Sequence, residues 1–436
     1  MSRRTLSCGA AQCVARCAPL LPALLLLSPF IPPLIPRASA ETLGEAIAAA
    51  YETNPQLAAA RARQEALAET PEQERALARP TLSVEGNGGY DRQGYGKAAS
   101  LTANLALPIW TGGRVSSALR AANGDVAAGE QALRDSEAAI LQGVVSAYAA
   151  LLYNQQAVEV ARVGIQRLDT QVAETRARYD LGQATRTDVA QLEAQRATVV
   201  ANLADAEGAL ATAEATYRAA VGHDAGTLVP DVPPPAALPA SRDEARRAAE
   251  AANPALLQQR LAVAASAARI DRARAEGAPS IDLGGALGRG ERWTDGRLDD
   301  FENAASVGIT LRVPLLTGGL VASRVRQAEA NNRAERFQAD AAERDAMRGA
   351  DTAWAALNAA GARLRANTEG LAAADLALKG VRAEYAFGLR STVDILVADQ
   401  SLRAAQLAVA LAKSDVLVAE AGLLRAVGRL GRTAYE

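Results

Sequence analysis

The chain of 436 residues contains very little cysteine and histidine, two side chains that many enzyme active sites use. Its three cysteines, Cys8, Cys13 and Cys17, all lie within the first 40 residues, and its only histidine is His223. If those first residues are removed on export, no thiol remains, which excludes disulfides, cysteine nucleophiles and cysteine-based metal sites. A single histidine supplies no second imidazole for a metal, and at a predicted helix end it is better explained as a cationic partner of the helix dipole.

Catalytic and phosphate-binding motifs are missing as well. The sequence has no G-x-x-x-x-G-K-[ST] loop, and no Ser-His-Asp set has a supporting context. Gly86, Gly88 and Gly89 form a glycine-rich stretch, but it leads into a predicted strand and not into a helix, so it predicts no phosphate site. The formal charge of −2 gives no electrostatic argument for nucleic acid. The sequence therefore predicts no enzyme, metal site or cofactor.

The N-terminal segment has the features of a secretory signal. Arg3, Arg4 and Arg16 precede or flank an apolar run over 20–35, and Ala38-Ser39-Ala40 matches an A-x-A cleavage site. Prolines within the run disfavour a membrane-spanning helix. We therefore predict a signal peptide over 1–40, whose loss would leave 43 basic and 49 acidic residues, a formal charge of −6.

The remaining chain contains an internal repeat. Matching residues recur 206 positions apart, among them Pro108 and Pro314, Tyr179 and Tyr385, Gly182 and Gly388, and Asp188 and Asp394. A proline-rich stretch, which cannot be helical, separates the two halves. We predict a first repeat over 41–229, a linker over 230–240 and a second repeat over 241–436.

Each repeat predicts the same order of elements: a helical stretch, a pair of strands, a very long helix and a shorter helix. The second strand of each pair alternates apolar and polar residues with a period of two. The predicted ranges in the two repeats are 42–79 and 241–277 for the first helical stretch, 86–97 and 288–300 for Gly- and Asp-rich turns between the strands, 114–180 and 320–386 for the long helix, and 184–221 and 391–427 for the shorter helix.

The long helices have an apolar or aromatic residue at every seventh position. In the first repeat these are Val144, Leu151, Val158, Ile165, Val172 and Tyr179, and in the second they are Ala350, Leu357, Leu364, Leu371, Leu378 and Tyr385. Such a seam predicts coiled-coil-like packing along the whole helix. A run of this length would span roughly 100 Å.

The predicted strands are long enough to cross a bilayer when tilted, at about 8–11 residues each. A bilayer admits only closed barrels, and the smallest of these have eight strands. A subunit with four strands must therefore oligomerise to close one. The strand count alone permits a dimer with eight strands or a trimer with twelve.

In this combination, the residues resemble the TolC family of outer-membrane efflux proteins over essentially the whole chain after residue 40. The resemblance rests on the duplicated Asn-Pro at 54–55 and 253–254, the Pro followed by Thr-Gly-Gly at 108–113 and 314–319, and two similar tips. The tips have the sequences RYDLGQATRTDV over 178–189 and EYAFGLRSTVDIL over 384–396.

The resemblance implies a mainly α fold with a small membrane β part, in which a homotrimer forms one twelve-stranded barrel and a long coiled-coil-like α-barrel across the periplasm. The implied function is the outer-membrane channel of a tripartite efflux or type I secretion system, passing drugs or proteins to the exterior. Its implied partners are outer-membrane lipid, a periplasmic adaptor (membrane fusion protein) and an inner-membrane pump or ABC transporter.

The two tips would form the periplasmic entrance. Gly182 and Gly388 suit the chain reversal after each long helix. The next helix could be capped by Thr185 or Thr187 in the first tip, and by Ser391 or Thr392 in the second. The resemblance implies a gate formed by Tyr385, Arg390, Asp394 and Asp188, and an adaptor-docking surface formed by Leu181, Gly182, Gln183, Phe387, Gly388 and Leu389.

The sequence departs from the secretion-type pattern at Val397, where a second Asp is often found, although Asp399 lies nearby. The main alternative is a periplasmic adaptor or other coiled-coil scaffold, which would share the signal and the heptads. It would lack duplicated membrane strands and normally contains a lipoyl-like β segment, which is not evident here. A periplasmic hydrolase would require a catalytic group that the sequence does not offer.

Overall fold

The structure is a computed structural model that describes residues 40–91, 96–294 and 297–435. Helices dominate these residues, and one small sheet accompanies them. The helices are α1 (Leu43–Thr53), α2 (Pro55–Ala68), α3 (Thr70–Ala76), α4 (Arg114–Asp180), α5 (Arg186–Val221), α6 (Arg242–Ala252), α7 (Pro254–Ala275), α8 (Leu320–Ala386) and α9 (Thr392–Ala426). The strands are β1 (Thr81–Asp91), β2 (Gly96–Trp110), β3 (Ser280–Thr294) and β4 (Arg297–Arg312). The predicted signal over 1–40 lies, except for Ala40, outside the described residues.

The long helices have the predicted bounds, and each contains 67 residues. Both begin after a glycine in the left-handed conformation, Gly113 with φ +85° and Gly319 with φ +83°. A residue with a Cβ is strained in that conformation, so the Thr-Gly-Gly motif sets the start of each helix. At ~1.5 Å per residue each helix is roughly 100 Å long.

The first helical stretch of each half is broken, where the sequence predicted continuous helix over 42–79 and 241–277. One break in each stretch falls at an Asn-Pro motif, and the first stretch has a second break at Glu69, between α2 and α3. Asn54 ends α1, and its side chain accepts hydrogen bonds from the Gln56 and Leu57 N–H groups at the start of α2. The following proline suits the first position of a helix, because it has no N–H to satisfy there. Asn253 caps α7 in the same way.

Both asparagines also connect distant parts of the chain. The side-chain amide of Asn54 donates to the Ala220 carbonyl at the end of α5, at 3.2 Å. The amide of Asn253 donates to the Ala426 carbonyl at the end of α9, at 2.9 Å. Each asparagine therefore provides hydrogen-bond partners to two helices at once: it pairs N–H groups at the start of one helix and a carbonyl at the end of another.

The predicted heptad seam is packed along most of its length. Val144, Leu151 and Val158 of α4 are buried, as are Ala350 and Leu378 of α8. The exception is Tyr179 in the last turn of α4, whose exposed fraction is 45%. The heptad seam of α4 therefore becomes exposed to solvent in the last turn before the chain reverses.

A hydrophobic core joins the beginning and the end of the described chain. Leu43 and Ile47 of α1 pack with Tyr148 of α4, Leu424 of α9 and Leu430 beyond it. Burying each such side chain contributes about 1.5–3 kcal/mol. The hydroxyl of Tyr148, fully enclosed, lies 3.0 Å from the Glu41 carbonyl and accepts a hydrogen bond from the Val229 N–H at 3.1 Å.

Helix α6 is fixed to α8 by a fork of charged groups. Arg242 and Arg246, one turn apart, both bind the carboxylate of Asp351, with N–O distances from 2.5 to 3.0 Å. Bidentate arginine–carboxylate pairs fix orientation as well as distance. The two guanidinium groups lower the pKa of Asp351 well below its usual range.

The sheet is antiparallel throughout, with the order β1-β2-β3-β4. Its strands contain 11, 15, 15 and 16 residues, so most are longer than predicted. The prediction of turns was wrong for 86–91, 96–97, 288–294 and 297–300, which are strand, while residues 92–95 and 295–296 of the predicted turns lie outside the described residues. Glycine lowers strand propensity, but ladder hydrogen bonds use only backbone groups, and Gly86, Gly88 and Gly89 all pair with β2.

Candidate functional site: the two helix-turn-helix tips

The first tip joins α4 to α5 by a tight reversal at Gly182, which has φ +72°. The Gly182 N–H donates to the Tyr179 carbonyl at 2.9 Å, and the Gln183 N–H donates to the Arg178 carbonyl at 2.8 Å. These two bonds form a Schellman motif, which satisfies carbonyls that the helix leaves open. The predicted role of Gly182 therefore agrees with its geometry.

The second tip repeats this geometry between α8 and α9. Gly388 has φ +74°, and its N–H donates to the Tyr385 carbonyl at 2.9 Å. The Leu389 N–H donates to the Glu384 carbonyl at 3.0 Å. Both tips are thus tight turns closed by backbone hydrogen bonds.

The helix that follows each turn begins with a capping box. Of the candidate caps, the structure selects Thr185 and Ser391. The Ser391 hydroxyl accepts from the Asp394 N–H at 3.3 Å, and the Asp394 carboxylate accepts from the Ser391 N–H at 2.9 Å. Thr185 and Asp188 form the same pair.

These hydrogen bonds keep both aspartates ionised. The Ser391 backbone N–H, followed by the Ser391 hydroxyl, lowers the pKa of Asp394. The Thr185 hydroxyl and then its backbone N–H lower the pKa of Asp188. Each tip therefore presents a fixed negative charge in the first turn of its second helix, where the helix dipole also favours it.

Around Asp394, the second tip carries a basic and an aromatic group. Arg390 donates from Nε to a Glu384 carboxylate oxygen at 2.6 Å, and this pair spans the turn. The Arg178 guanidinium, from the first tip, lies 4.9 Å from the centroid of the Tyr385 ring. This cation–π contact joins the two tips of one protomer.

The structure thus brings Tyr385, Arg390 and Asp394 to one tip, whereas the described hydrogen bonds of Asp188 stay within the other tip. Sequence reasoning missed Glu384 and Arg178. Glu384 could have been found, because it lies six residues before Arg390 across a predicted turn. Arg178 could not, because its contact depends on how the two tips pack.

The apolar side chains of the tips are uncovered. Leu181, Phe387 and Leu389 have exposed fractions of 74%, 81% and 74%, and Gln183 is exposed as well. Exposed apolar side chains mark a protein-binding surface when they join into a large patch. Val397, at the position of the sequence departure, is also exposed, whereas Asp399 is buried and ion-paired with Arg403. Asp399 therefore does not supply a second acidic group on the tip surface.

The single histidine lies far along α5 from the tips. His223 follows the C-terminus of α5, with its Nε2 3.3 Å from a Glu41 carboxylate oxygen and its ring near Tyr217. Among the described residues, no group of three His, Cys, Asp or Glu side chains could hold a metal ion.

Comparison with known proteins assigns the chain to a family. The sequence profile described as "Outer membrane efflux protein" matches residues 46–223 and 245–429. The chain belongs to this TolC-like efflux protein family. Membership sets aside the adaptor, scaffold and hydrolase alternatives, because the family consists of outer-membrane channels.

Individual members are similar over nearly the whole chain. The outer membrane efflux protein BepC of Brucella suis is 32% identical over 90% of this chain and 86% of its own. The outer membrane protein TolC of Vibrio cholerae is 27% identical over 90% of this chain and 91% of its own. The crystal structure of VceC from Vibrio cholerae, at 22% identity, shares the fold with a TM-score of 0.73 over 88% of this chain and 96% of that one. This TolC-like protein is therefore an outer-membrane channel component with an extended periplasmic part.

Proposed function

We propose that three copies of this chain form a gated outer-membrane conduit that passes drugs or proteins to the exterior in a tripartite efflux or type I secretion system. The observation that carries the proposal is the long distance between the sheet and the helix-turn-helix tips. A helix of 67 residues, roughly 100 Å long, separates a small sheet from a pair of tight turns with exposed apolar residues. In such a system the energy comes from an inner-membrane pump or ABC transporter, and a periplasmic adaptor connects it to the conduit.

Closure of the sheet into a barrel requires more than one chain. Strands β1 and β4 are the edges of a four-stranded sheet, and a bilayer does not tolerate unpaired strand edges. A trimer would supply twelve strands and join each β4 to the β1 of a neighbour. Leu82, Val84, Val307 and Ile309 support a lipid-facing role, because each has an exposed fraction above 60%.

The two-fold repeat with its linker over 230–240 belongs to the same proposal. It is supported by the equal lengths of α4 and α8, by α5 and α9 with 36 and 35 residues, and by the matching asparagine caps. The segment between Gly222 and Ser241 contains no helix or strand beyond one isolated bridge at Leu228. Export with loss of a signal over 1–40 would bring such a chain to the periplasm.

In this conduit the tips close the periplasmic entrance. Tyr385, Arg390 and Asp394, with Asp188 on the other tip, would form the gate. The Asp394 carboxylates would gather around the axis of the trimer, where a ring of like charge attracts cations. The adaptor would dock on the exposed turns, at Leu181, Gly182, Gln183, Phe387, Gly388 and Leu389.

Planar-bilayer recordings test the gate with a charge series at one position. The wild-type trimer should give small, stable, cation-preferring currents. Asp394→Asn retains an acceptor for the Ser391 N–H but removes the charge, so the cation preference should fall. Asp394→Arg reverses the charge and should favour anions with an altered conductance.

Ser391→Ala is the matched control, because it weakens the same cap, typically by ~1 kcal/mol, while leaving the Asp394 charge in place. Its ion selectivity should equal that of the wild type. Unchanged currents in Asp394→Arg would refute the gate assignment. A purified protein that forms no channels at all would refute the conduit itself.

A further inference from the structure

Helix α9 presents two different faces near the second tip. Ile395, Ala398 and Leu402 lie on one face and pack with α8 residues in an entirely apolar cluster. The adjacent face contains Leu396, Asp399 and Arg403, at the i, i+3, i+7 spacing of one helical stripe. Leu396 packs against a cluster from α4 and α5. Near the tip, the α9–α4 contact therefore includes a charged pair, whereas Ile395, Ala398 and Leu402 contact α8 through a hydrophobic cluster.

The charged groups of this stripe are buried. The Asp399 side chain is 4% exposed, and that of Arg403 is 11% exposed. The Arg403 Nε donates to Asp399 Oδ2 at 2.9 Å. Arg167 of α4 approaches the other carboxylate oxygen, with a nitrogen–oxygen distance of 3.8 Å. Asp399 thus pairs with Arg403 on its own helix and faces Arg167 across the α4–α9 contact.

This network is incompletely satisfied. Asp399 Oδ1 and one terminal nitrogen of Arg403 are buried without a hydrogen-bond partner. A buried charge pair tolerates the loss of one member poorly, because the remaining charge is left without compensation in a medium that solvates it badly. The charged part of the α4–α9 contact at this level therefore depends on the single carboxylate of Asp399, beside the apolar packing of Leu396.

A glycine makes room for the network. A Cβ placed on Gly164 of α4 would lie 2.9 Å from Cδ of Arg403. Any larger residue at position 164 would therefore push the Arg403 side chain out of its place. The network lies close to the tip, because Asp399 is eight residues beyond the Ser391 cap, roughly 12 Å along the helix.

From this geometry we infer that Asp399 is a positioning residue of the periplasmic entrance, which holds the second tip against the first half of the protomer through Arg403 and Arg167. This inference rests on the proposed gated conduit. Near the tip, helices α8 and α9 are bound to each other by hydrophobic packing, so losing the charge of Asp399 loosens their shared tip from α4. The tip then departs from its closed position while the gate residues themselves are unchanged.

The test measures single-channel conductance of folded, inserted trimers carrying Asp399→Asn. Removal of the compensating charge should raise the mean conductance or open probability by roughly threefold or more. The cation preference should stay at the wild-type value, because Asp394 is intact. Gly164→Ala should also raise the conductance without changing any charge. Asp399→Glu, which keeps the carboxylate, should retain a conductance near that of the wild type.

Asp169→Asn is the matched control. It removes the acid of the exposed ion pair between Asp169 of α4 and Arg196 of α5, and its conductance should equal that of the wild type. Trimer content on unheated gels shows whether each variant assembles, and Gly164→Ala provides the test if Asp399→Asn does not. If an assembled Asp399→Asn trimer has wild-type conductance, the inference is overturned, while channel activity of the wild-type protein still supports the proposed function. A wild-type protein without channels would instead count against the proposed function.

Discussion

Glu420 of α9 offers a sharp test of the electrostatics in the core. Its side chain lies on the α9 face that also carries Leu417, Ala421 and Leu424, and the residue is 7% exposed. The described residues include no ion-pair partner for it. Burial raises the pKa of Glu420 from 4.5 to about 7, so the folded protein keeps the acid protonated over a pH range in which the unfolded chain ionises it.

The raised pKa fixes the sign of the pH effect. Below pH 4.5 the acid is protonated in both the folded and the unfolded protein, so burial has its lowest cost. As the pH rises from 4.5 to about 7, the unfolded chain ionises Glu420 while the folded chain still holds the proton, so stability falls across this window and levels off above it. A shift from 4.5 to about 7 corresponds to a loss of at most about 3 kcal/mol.

Glu420→Gln removes this ionisation with little change of shape. We expect the variant to unfold at a higher temperature than the wild type at pH 8, and the difference should shrink toward pH 5. The measurement is the thermal loss of helical circular dichroism in detergent at both pH values. Glu369→Gln, at an exposed position on α8, is the control and should show no such pH-dependent difference. An equal difference at pH 5 and pH 8 would refute the electrostatic explanation.

Two further substitutions test the backbone devices of the fold. Asn253→Ala removes the cap of α7 and the hydrogen bond to the Ala426 carbonyl. It should destabilise the protein by about 1–2 kcal/mol, measured as a lower melting temperature. The control Asn358→Ala, at an exposed position within α8, should leave the melting temperature unchanged. Gly388→Ala forces a Cβ into the left-handed conformation, which should cost about 1–2 kcal/mol and speed hydrogen exchange at the second tip. The control Gly370→Ala, within α8, should leave exchange at that tip unchanged. Equal exchange at the tip in wild type and Gly388→Ala would contradict the role of the turn.

The long helices could be predicted to the residue because two independent signals agreed. The seven-residue seam defined their interior, and Thr-Gly-Gly and the tip glycines defined their ends. The first helical stretch was predicted less well, since helix formers continue through both Asn-Pro motifs. The strands were predicted too short, because glycine was taken as a sign of turns while backbone pairing continued through it.

The tips could be predicted in their backbone and only partly in their side chains. Gly388 and Ser391 carry local signals for a turn and a cap, which depend on neighbouring residues alone. The contact of Arg178 with Tyr385 and the burial of Asp399 depend on packing between helices distant in sequence. A charged residue on a helix is usually solvated, so nothing in the local pattern distinguished Asp399 from exposed acids.

Contacts between the N-terminal and C-terminal parts of the chain affect how the subunit folds during synthesis. Strand β2 pairs with β3, so the first hairpin keeps an unpaired edge until residues 280–294 have emerged. The core likewise awaits Leu424 and Leu430 before Leu43 and Tyr148 are covered. Contacts between residues so far apart in sequence form slowly and leave apolar surface open in the meantime. The nascent subunit therefore needs protection until its last residues have arrived, and a chain cut short near its C-terminus would lose the packing of its N-terminus as well.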